Sequence, residues 1–275
     1  MSDDWDEDDW DEELEEELEE QVSEHDPFSL LGLAAGSLSL VPLLALYELA
    51  LPGRAGERST AELAFLISFE RLGVPAEPVR WTVILLLALF GVVTLARAGR
   101  GVVPATLGIV LEGAVASLVL GPVLVGLLHL FEGVVPLPDI APPQGSPGAG
   151  LSAFVVGASA WEELLLRVVI FSGIFLLGRR VVGFFGAGDR SRVWIGEALA
   201  LLGSAAAYAA LHLESFTGWL APGGEAFEPS AFTWRLTAGI LLGLLFRWRG
   251  VGVSAWAHGL FNLALLLGAG PDVFV

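Results

Sequence analysis

Trp161-Glu162-Glu163-Leu164-Leu165-Leu166-Arg167 sits at the centre of an otherwise apolar run from Leu151 to Leu177. A helix needs roughly 20 apolar residues to cross a bilayer, and this run is long enough. Three ionisable side chains at the midpoint of such a helix cost about 2.5–3.5 kcal/mol each on insertion scales, so they belong against a protein interior or a wet cavity. Glu163 and Arg167 are four residues apart on one helix face and can pair, which would hold Glu163 charged. The helical pitch turns Glu162 about 100° away from that pair. It keeps no partner within its own helix and stays available as an acid or base. The stretch reads as a functional site inside a membrane helix.

The composition around it agrees. Of 275 residues, 54% are hydrophobic, and the mean hydropathy is +0.68, too apolar for an ordinary soluble domain. The formal charge of −18 is concentrated at one end. Met1–Asp26 hold 16 of the 32 acidic residues, leaving 16 acids against 14 basic groups in the remainder. All 14 are arginine, and lysine is absent. The acidic tail, the missing lysine and the abundant Ala, Gly and Val fit an extreme halophile, with an archaeal source and a plasma-membrane location expected. Cysteine is absent as well, which excludes disulfides, thiolate metal sites and cysteine nucleophiles. Residues 1–27 read as a self-repelling, solvated acidic tail without the basic region of a secretory signal.

Further apolar runs span Phe28–Leu51, Val79–Ala96, Val102–Leu130, Val193–Leu213, Ala231–Phe246 and Gly250–Ala269. With the central run they predict an all-α, polytopic membrane bundle of seven helices, or eight if the short stretch Glu62–Glu70 also spans. Residues 28–137 form a front half, 138–150 a Pro/Gly-rich linker, and 151–270 the membrane domain that carries the site. With seven spans, eight arginines lie on the side of the N-terminus and five on the other, so the first side is expected to be cytoplasmic. Eight spans make the split ten against three and move the N-terminus outside. No nucleic-acid partner is expected; the partners are the bilayer and a membrane-associated peptide or protein.

Two more polar pairs lie in the apolar runs behind the Glu-Glu pair. Tyr208 and His212 are four apart, as are His258 and Asn262, so each pair shares one helix face. Singly, each has a plain structural explanation. A lone helical histidine is commonly a satisfied core residue, Asn262 suits interhelical hydrogen bonding, and Glu163 with Arg167 suits a packing role. Together, in a chain with so few intramembrane polar groups, they favour a site.

The ordered motifs Glu-Glu-x-x-x-Arg, aromatic-x-x-x-His and His-x-x-x-Asn resemble those of the CPBP family, the CAAX proteases and bacteriocin-processing enzymes, which includes the type II CAAX prenyl endopeptidases. The resemblance covers Leu151 to Leu267 and includes the glycine-spaced segment Ala238–Phe246 and the Arg249-Gly250 turn. It implies an intramembrane endopeptidase in which Glu162 is the general base, assisted by His212 in holding a water. His258 and Asn262 would stabilise the oxyanion, since imidazole and amide both donate hydrogen bonds. Glu163 and Arg167 would support the helix and tune the field at Glu162. The family usually has Phe where this chain has Tyr208, an aromatic exchange expected to leave the mechanism unaffected. No serine lies in a nucleophile motif. No cofactor is expected; the alternative is a zinc held by Glu162, His212 and His258 with an open position for water. Two other classes compete: a transporter, whose path such residues also line, and a non-catalytic scaffold. If the residues form one site, the helix bearing His212 is expected to run at least through Ser215, aiming its ring at Glu162 within water-bridging distance.

Overall fold

In a computed structural model, residues 27–53, 69–130, 148–217 and 224–268 are described, and the regular structure among them is helical. The acidic tail, most of Glu62–Glu70 and nearly all of the Pro/Gly-rich linker lie outside the described residues. Helix α1 (Leu30–Ala50) starts at Ser29, whose side-chain oxygen accepts the Gly32 amide at 3.0 Å and satisfies a free N–H of the first turn. Helices α2 (Ala76–Arg97) and α3 (Val102–His129) follow. Helix α4 (Ala149–Glu163) continues without a break through a π-helical stretch, Leu164–Phe171, into α5 (Ser172–Phe184). Helix α6 (Asp189–Ala210), the single turn α7 (Glu214–Thr217) and α8 (Pro229–Leu266) complete the order.

Helix α8 is two helices in one element. Gly250 has φ 82° and ψ 175°, a left-handed backbone that glycine alone tolerates without strain. The chain reverses there. Ser254 Oγ donates to the Leu242 carbonyl at 3.2 Å, and Trp234 stacks with Phe261 at 6.3 Å between ring centroids. A continuous helix would hold residues 234 and 261 about 40 Å apart, at 1.5 Å per residue. The turn expected at Arg249-Gly250 is thus a tight αα-hairpin.

Five described helices, α1, α2, α3, α6 and α8, are long and apolar enough to cross a membrane. That is fewer than the seven or eight expected. The π stretch divides the α4–α5 run into shorter elements, and the hairpin α8 holds two apolar runs in one. The outward faces suit lipid: Val103, Leu107, Leu111, Val115 and Leu118 form an exposed apolar stripe along α3. These helices make the chain a membrane protein.

Two close approaches bring the site helices together. A Cβ on Gly157 would stand 2.6 Å from Leu43 O and Tyr47 N, so α4 lies against the backbone of α1. A Cβ on Gly259 would stand 2.9 Å from Val156 O, so α8 lies against α4 just as closely. Small residues at crossings are how membrane helices gain packing without a hydrophobic drive between them. The core so formed includes Leu40, Leu43, Leu44, Tyr47, Val156, Trp161, Phe171 and Ala255.

One helix boundary differs from expectation. Helix α6 ends at Ala210 and does not run through Ser215. Leu211 caps it, His212 lies in the following turn, and Leu213 pairs with Glu225 as an isolated bridge. Backbone pairing to a segment more than ten residues away replaces the next turn of helix.

Candidate active site

Glu163 is the hub of the polar cluster. Its Oε2 accepts from Arg167 Nε at 3.1 Å and from Ser254 Oγ at 2.5 Å, and its Oε1 faces His258 Nδ1 at 3.0 Å. Arg167 and Glu163 are both fully buried. The ion pair read from the i,i+4 spacing is therefore present, but it extends further than its own helix. Arg167 Nη1 donates to Ser204 Oγ on α6 at 3.1 Å, while Nη2 is buried with no hydrogen-bond partner among the described residues. A charge held this far from water is tolerable only when paired and hydrogen-bonded.

The π stretch starts directly after Glu163. Its wider turn brings Leu166, Arg167 and Phe171 to the buried side, and Ser172 Oγ reaches back five residues to the Arg167 carbonyl at 3.3 Å. Such local widenings occur often at functional sites.

Glu162 occupies the other side of the histidine. His258 Nε2 lies 3.6 Å from Glu162 Oε2, and its Nδ1 lies 3.0 Å from Glu163 Oε1. The two carboxylates differ in setting: the Glu162 side chain keeps 14% exposure and the Glu163 side chain none. The 3.6 Å gap is too long for a hydrogen bond. Because Nδ1 faces a carboxylate, which only accepts, that nitrogen carries a proton. The opposite nitrogen, Nε2, is turned to Glu162 and to the Tyr208 hydroxyl at 3.3 Å.

Tyr208 stands between the two histidines. Its ring meets His212 edge-on at 5.1 Å and His258 at 5.6 Å between centroids. The hydroxyl contact with His258 is one that the phenylalanine of the resembling family has no means to make. His212 Nδ1 lies 2.9 Å from the Tyr208 carbonyl. A carbonyl accepts only, so Nδ1 is protonated and the neutral ring presents a free lone pair at Nε2. Asn262 Nδ2 donates to Ser159 Oγ at 3.2 Å, which turns its amide towards α4.

The structure thus joins Glu162, Glu163, Arg167, Tyr208, His212 and His258 through contacts across α4, the π stretch, α6 and α8. Asn262 is tied to α4 by Ser159, one turn before Glu162 and Glu163. Among the described residues, no three His, Cys, Asp or Glu side chains form a group that could hold a metal ion.

Three serines escaped the sequence reading, and a signal for them existed. Ser159, Ser204 and Ser254 each stand four residues before a site residue: Glu163, Tyr208 and His258. Each therefore shares that residue's helix face. All three donate to or accept from the site's side chains.

No curated protein and no solved structure matches the chain. Residues 143–264 match the family model described as type II CAAX prenyl endopeptidase Rce1-like. The match takes in every residue of the cluster, from Ser159 to Asn262. Over this segment the chain is similar to the Rce1-like type II CAAX prenyl endopeptidase family, a protease family, in keeping with the motifs it carries.

Proposed function

We propose that the protein is an intramembrane endopeptidase that hydrolyses a peptide bond of a membrane-associated substrate with a water activated by Glu162. The observation that carries this reading is the placement of His258 between two carboxylates of unequal setting, Glu163 at 3.0 Å and the partly exposed Glu162 at 3.6 Å. Glu163 already accepts from Arg167 and Ser254, faces His258 and is fully buried, which leaves it badly placed to take a proton from water. Glu162 is better placed.

In this mechanism Glu162, with the free Nε2 of His212, holds a water and removes its proton as hydroxide adds to the peptide carbonyl. The carbonyl oxygen becomes an oxyanion, which the Asn262 amide and, when Nε2 carries the ring's second proton, His258 stabilise by donated hydrogen bonds. Glu162 then returns the proton to the leaving amine as the carbon–nitrogen bond breaks. Glu163 orients the imidazole of His258, and Arg167 keeps Glu163 ionised. The Tyr208 hydroxyl adds a donor beside the oxyanion position. A metal-free reaction is part of the proposal and rests on the resemblance of the ordered motifs, in which Glu162 is the general base.

Seven membrane spans, with the α8 hairpin counted as two and the α4–α5 run as one, fit this site at mid-depth. The N-terminal side is then cytoplasmic by its arginines, and the lysine-free, acid-tailed composition suits the plasma membrane of a halophilic archaeon.

The test is cleavage of a fluorogenic CAAX-type peptide, with and without a farnesyl group on its cysteine, by the purified protein in liposomes at high salt. Cleavage that persists in a chelator supports the metal-free glutamate reaction. Cleavage abolished by the chelator and restored by zinc replaces it with the metal-dependent one. No cleavage of either peptide, or of a proteome-derived membrane peptide library, removes the protease reading.

A further inference from the structure

His212 lies beyond the last helical residue of α6, Ala210, so the helix that carries Tyr208 does not itself hold the second histidine. Residues just past a helix end fray unless something else engages their backbone. A short strap does so. The Glu225 amide donates to the His212 carbonyl at 2.8 Å, and the Glu214 amide donates to the Glu225 carbonyl at 2.9 Å. Both backbone groups of one residue thus clasp the chain on either side of Leu213, as the isolated parallel bridge between Leu213 and Glu225 records.

The strap is tied down at two further points. Both Glu225 carboxylate oxygens lie 2.8 Å from Arg235 Nη2 on the first part of α8. Three residues on, Glu228 caps α8 by accepting the amides of Ser230 at 3.1 Å and Ala231 at 2.6 Å. Gly224 is required for the strap to close. Its φ is 103°, and a Cβ there would stand 2.6 Å from the Glu214 nitrogen and 2.7 Å from Thr217 Oγ1. Any other residue would have to push α7 away or open the Glu214–Glu225 pairing.

We infer that Glu225 and Arg235 are positioning residues for His212, with Gly224 the hinge that lets their strap close over the end of α6. The strap supplies the rigidity that a further turn of helix would have given, and in return it places the imidazole on a turn rather than on a helix face. Its Nδ1 is locked on the Tyr208 carbonyl, and the strap prevents the His212 backbone from swinging that ring away. The effect on cleavage rests on the proposed function; the effect on His212 itself does not.

The experiment therefore reads His212 directly. The full chain in detergent is treated with diethyl pyrocarbonate, which acylates an accessible, unprotonated imidazole nitrogen, and each histidine is quantified by peptide mass spectrometry. The chain has four histidines, so His129 and His258 serve as internal references. In Arg235→Ala and Gly224→Ala the rate at His212 should rise about three- to ten-fold as the turn opens locally, with His258 unchanged. Arg235→Lys, which keeps the charge, should stay closer to the parent. On the farnesylated CAAX-type peptide, Arg235→Ala should lower kcat about ten- to a hundred-fold with KM little altered, as misplacement of a reacting group does. An unchanged His212 rate in both Arg235→Ala and Gly224→Ala, with helical content retained, overturns the strap. A shifted His212 rate in a protein that cleaves no peptide upholds the strap and overturns the protease reading alone.

Discussion

Glu163 Oε1 and His258 Nδ1 meet at 3.0 Å although 95 residues of chain separate them. The contact joins the Glu-Glu motif on α4 to the His-Asn motif on α8, and it fixes which nitrogen of His258 faces Glu162. A base or a donor works best when a third group holds its tautomer and orientation. Here the third group is a carboxylate that a buried arginine keeps charged.

Glu162→Gln should abolish cleavage while the protein inserts and folds normally. Glutamine keeps the volume but accepts no proton from water, and loss of a general base costs about two to four orders of magnitude in rate. The check is turnover of the fluorogenic peptide beside thermal unfolding of the same preparation. Near-parental turnover would take Glu162 out of the mechanism.

Arg167→Ala should lose stability and activity together, because it strands the buried Glu163 charge. Breaking such a pair costs about 3–5 kcal/mol. The double change Glu163→Gln with Arg167→Gln should regain much of the stability, since no charge is left uncompensated. It should not regain activity, because an amide holds His258 Nδ1 less well than a carboxylate does. A double variant with restored turnover would show that the contact at 3.0 Å is structural only.

Tyr208→Phe removes the hydroxyl 3.3 Å from His258 Nε2 and leaves the ring between the two histidines. Stability should change by no more than about 1 kcal/mol, the net worth of an ordinary hydrogen bond. The kcat on the reporter peptide should fall by about three- to ten-fold, a loss of one weak donor near the oxyanion. Identical kcat and KM in the two proteins would mean that the phenolic oxygen takes no part.

Acid should loosen the start of α8. Hydrogen bonds from Ser230 and from the Ser230 and Ala231 amides hold the exposed Glu228 carboxyl below its ordinary value. A group whose folded pKa is depressed stabilises above its unfolded value, near 4.3 for glutamate, and loses that contribution as pH falls through the folded value. Amide exchange at Ser230 and Ala231 should therefore quicken, relative to intrinsic rates, as pH drops below about 4.3. Glu228→Gln should flatten that dependence. A pH-independent ratio in the parent would show that the cap carries no ionic component.

Much of the site was legible in the chain because helical spacing converts directly into shared faces. Glu163 with Arg167, Tyr208 with His212, and His258 with Asn262 are each four apart, and apolar surroundings make every polar residue conspicuous. The same rule places Ser159, Ser204 and Ser254 one turn ahead of site residues, yet serine is too cheap to bury in a helix to stand out as a charge does. The helical architecture followed from the apolar runs, since a bilayer admits few other backbones. Spacing says nothing about which faces of different helices meet. Only packing decided that Glu163 holds His258 rather than Arg167 alone, through backbone approaches such as Gly157 on α1 and Gly259 on α4. Only packing, too, ended α6 at Ala210 and gave His212 to a strap from Glu225. Convergence on one site called for more helix there, and hydrogen bonds to a segment distant in sequence replaced it.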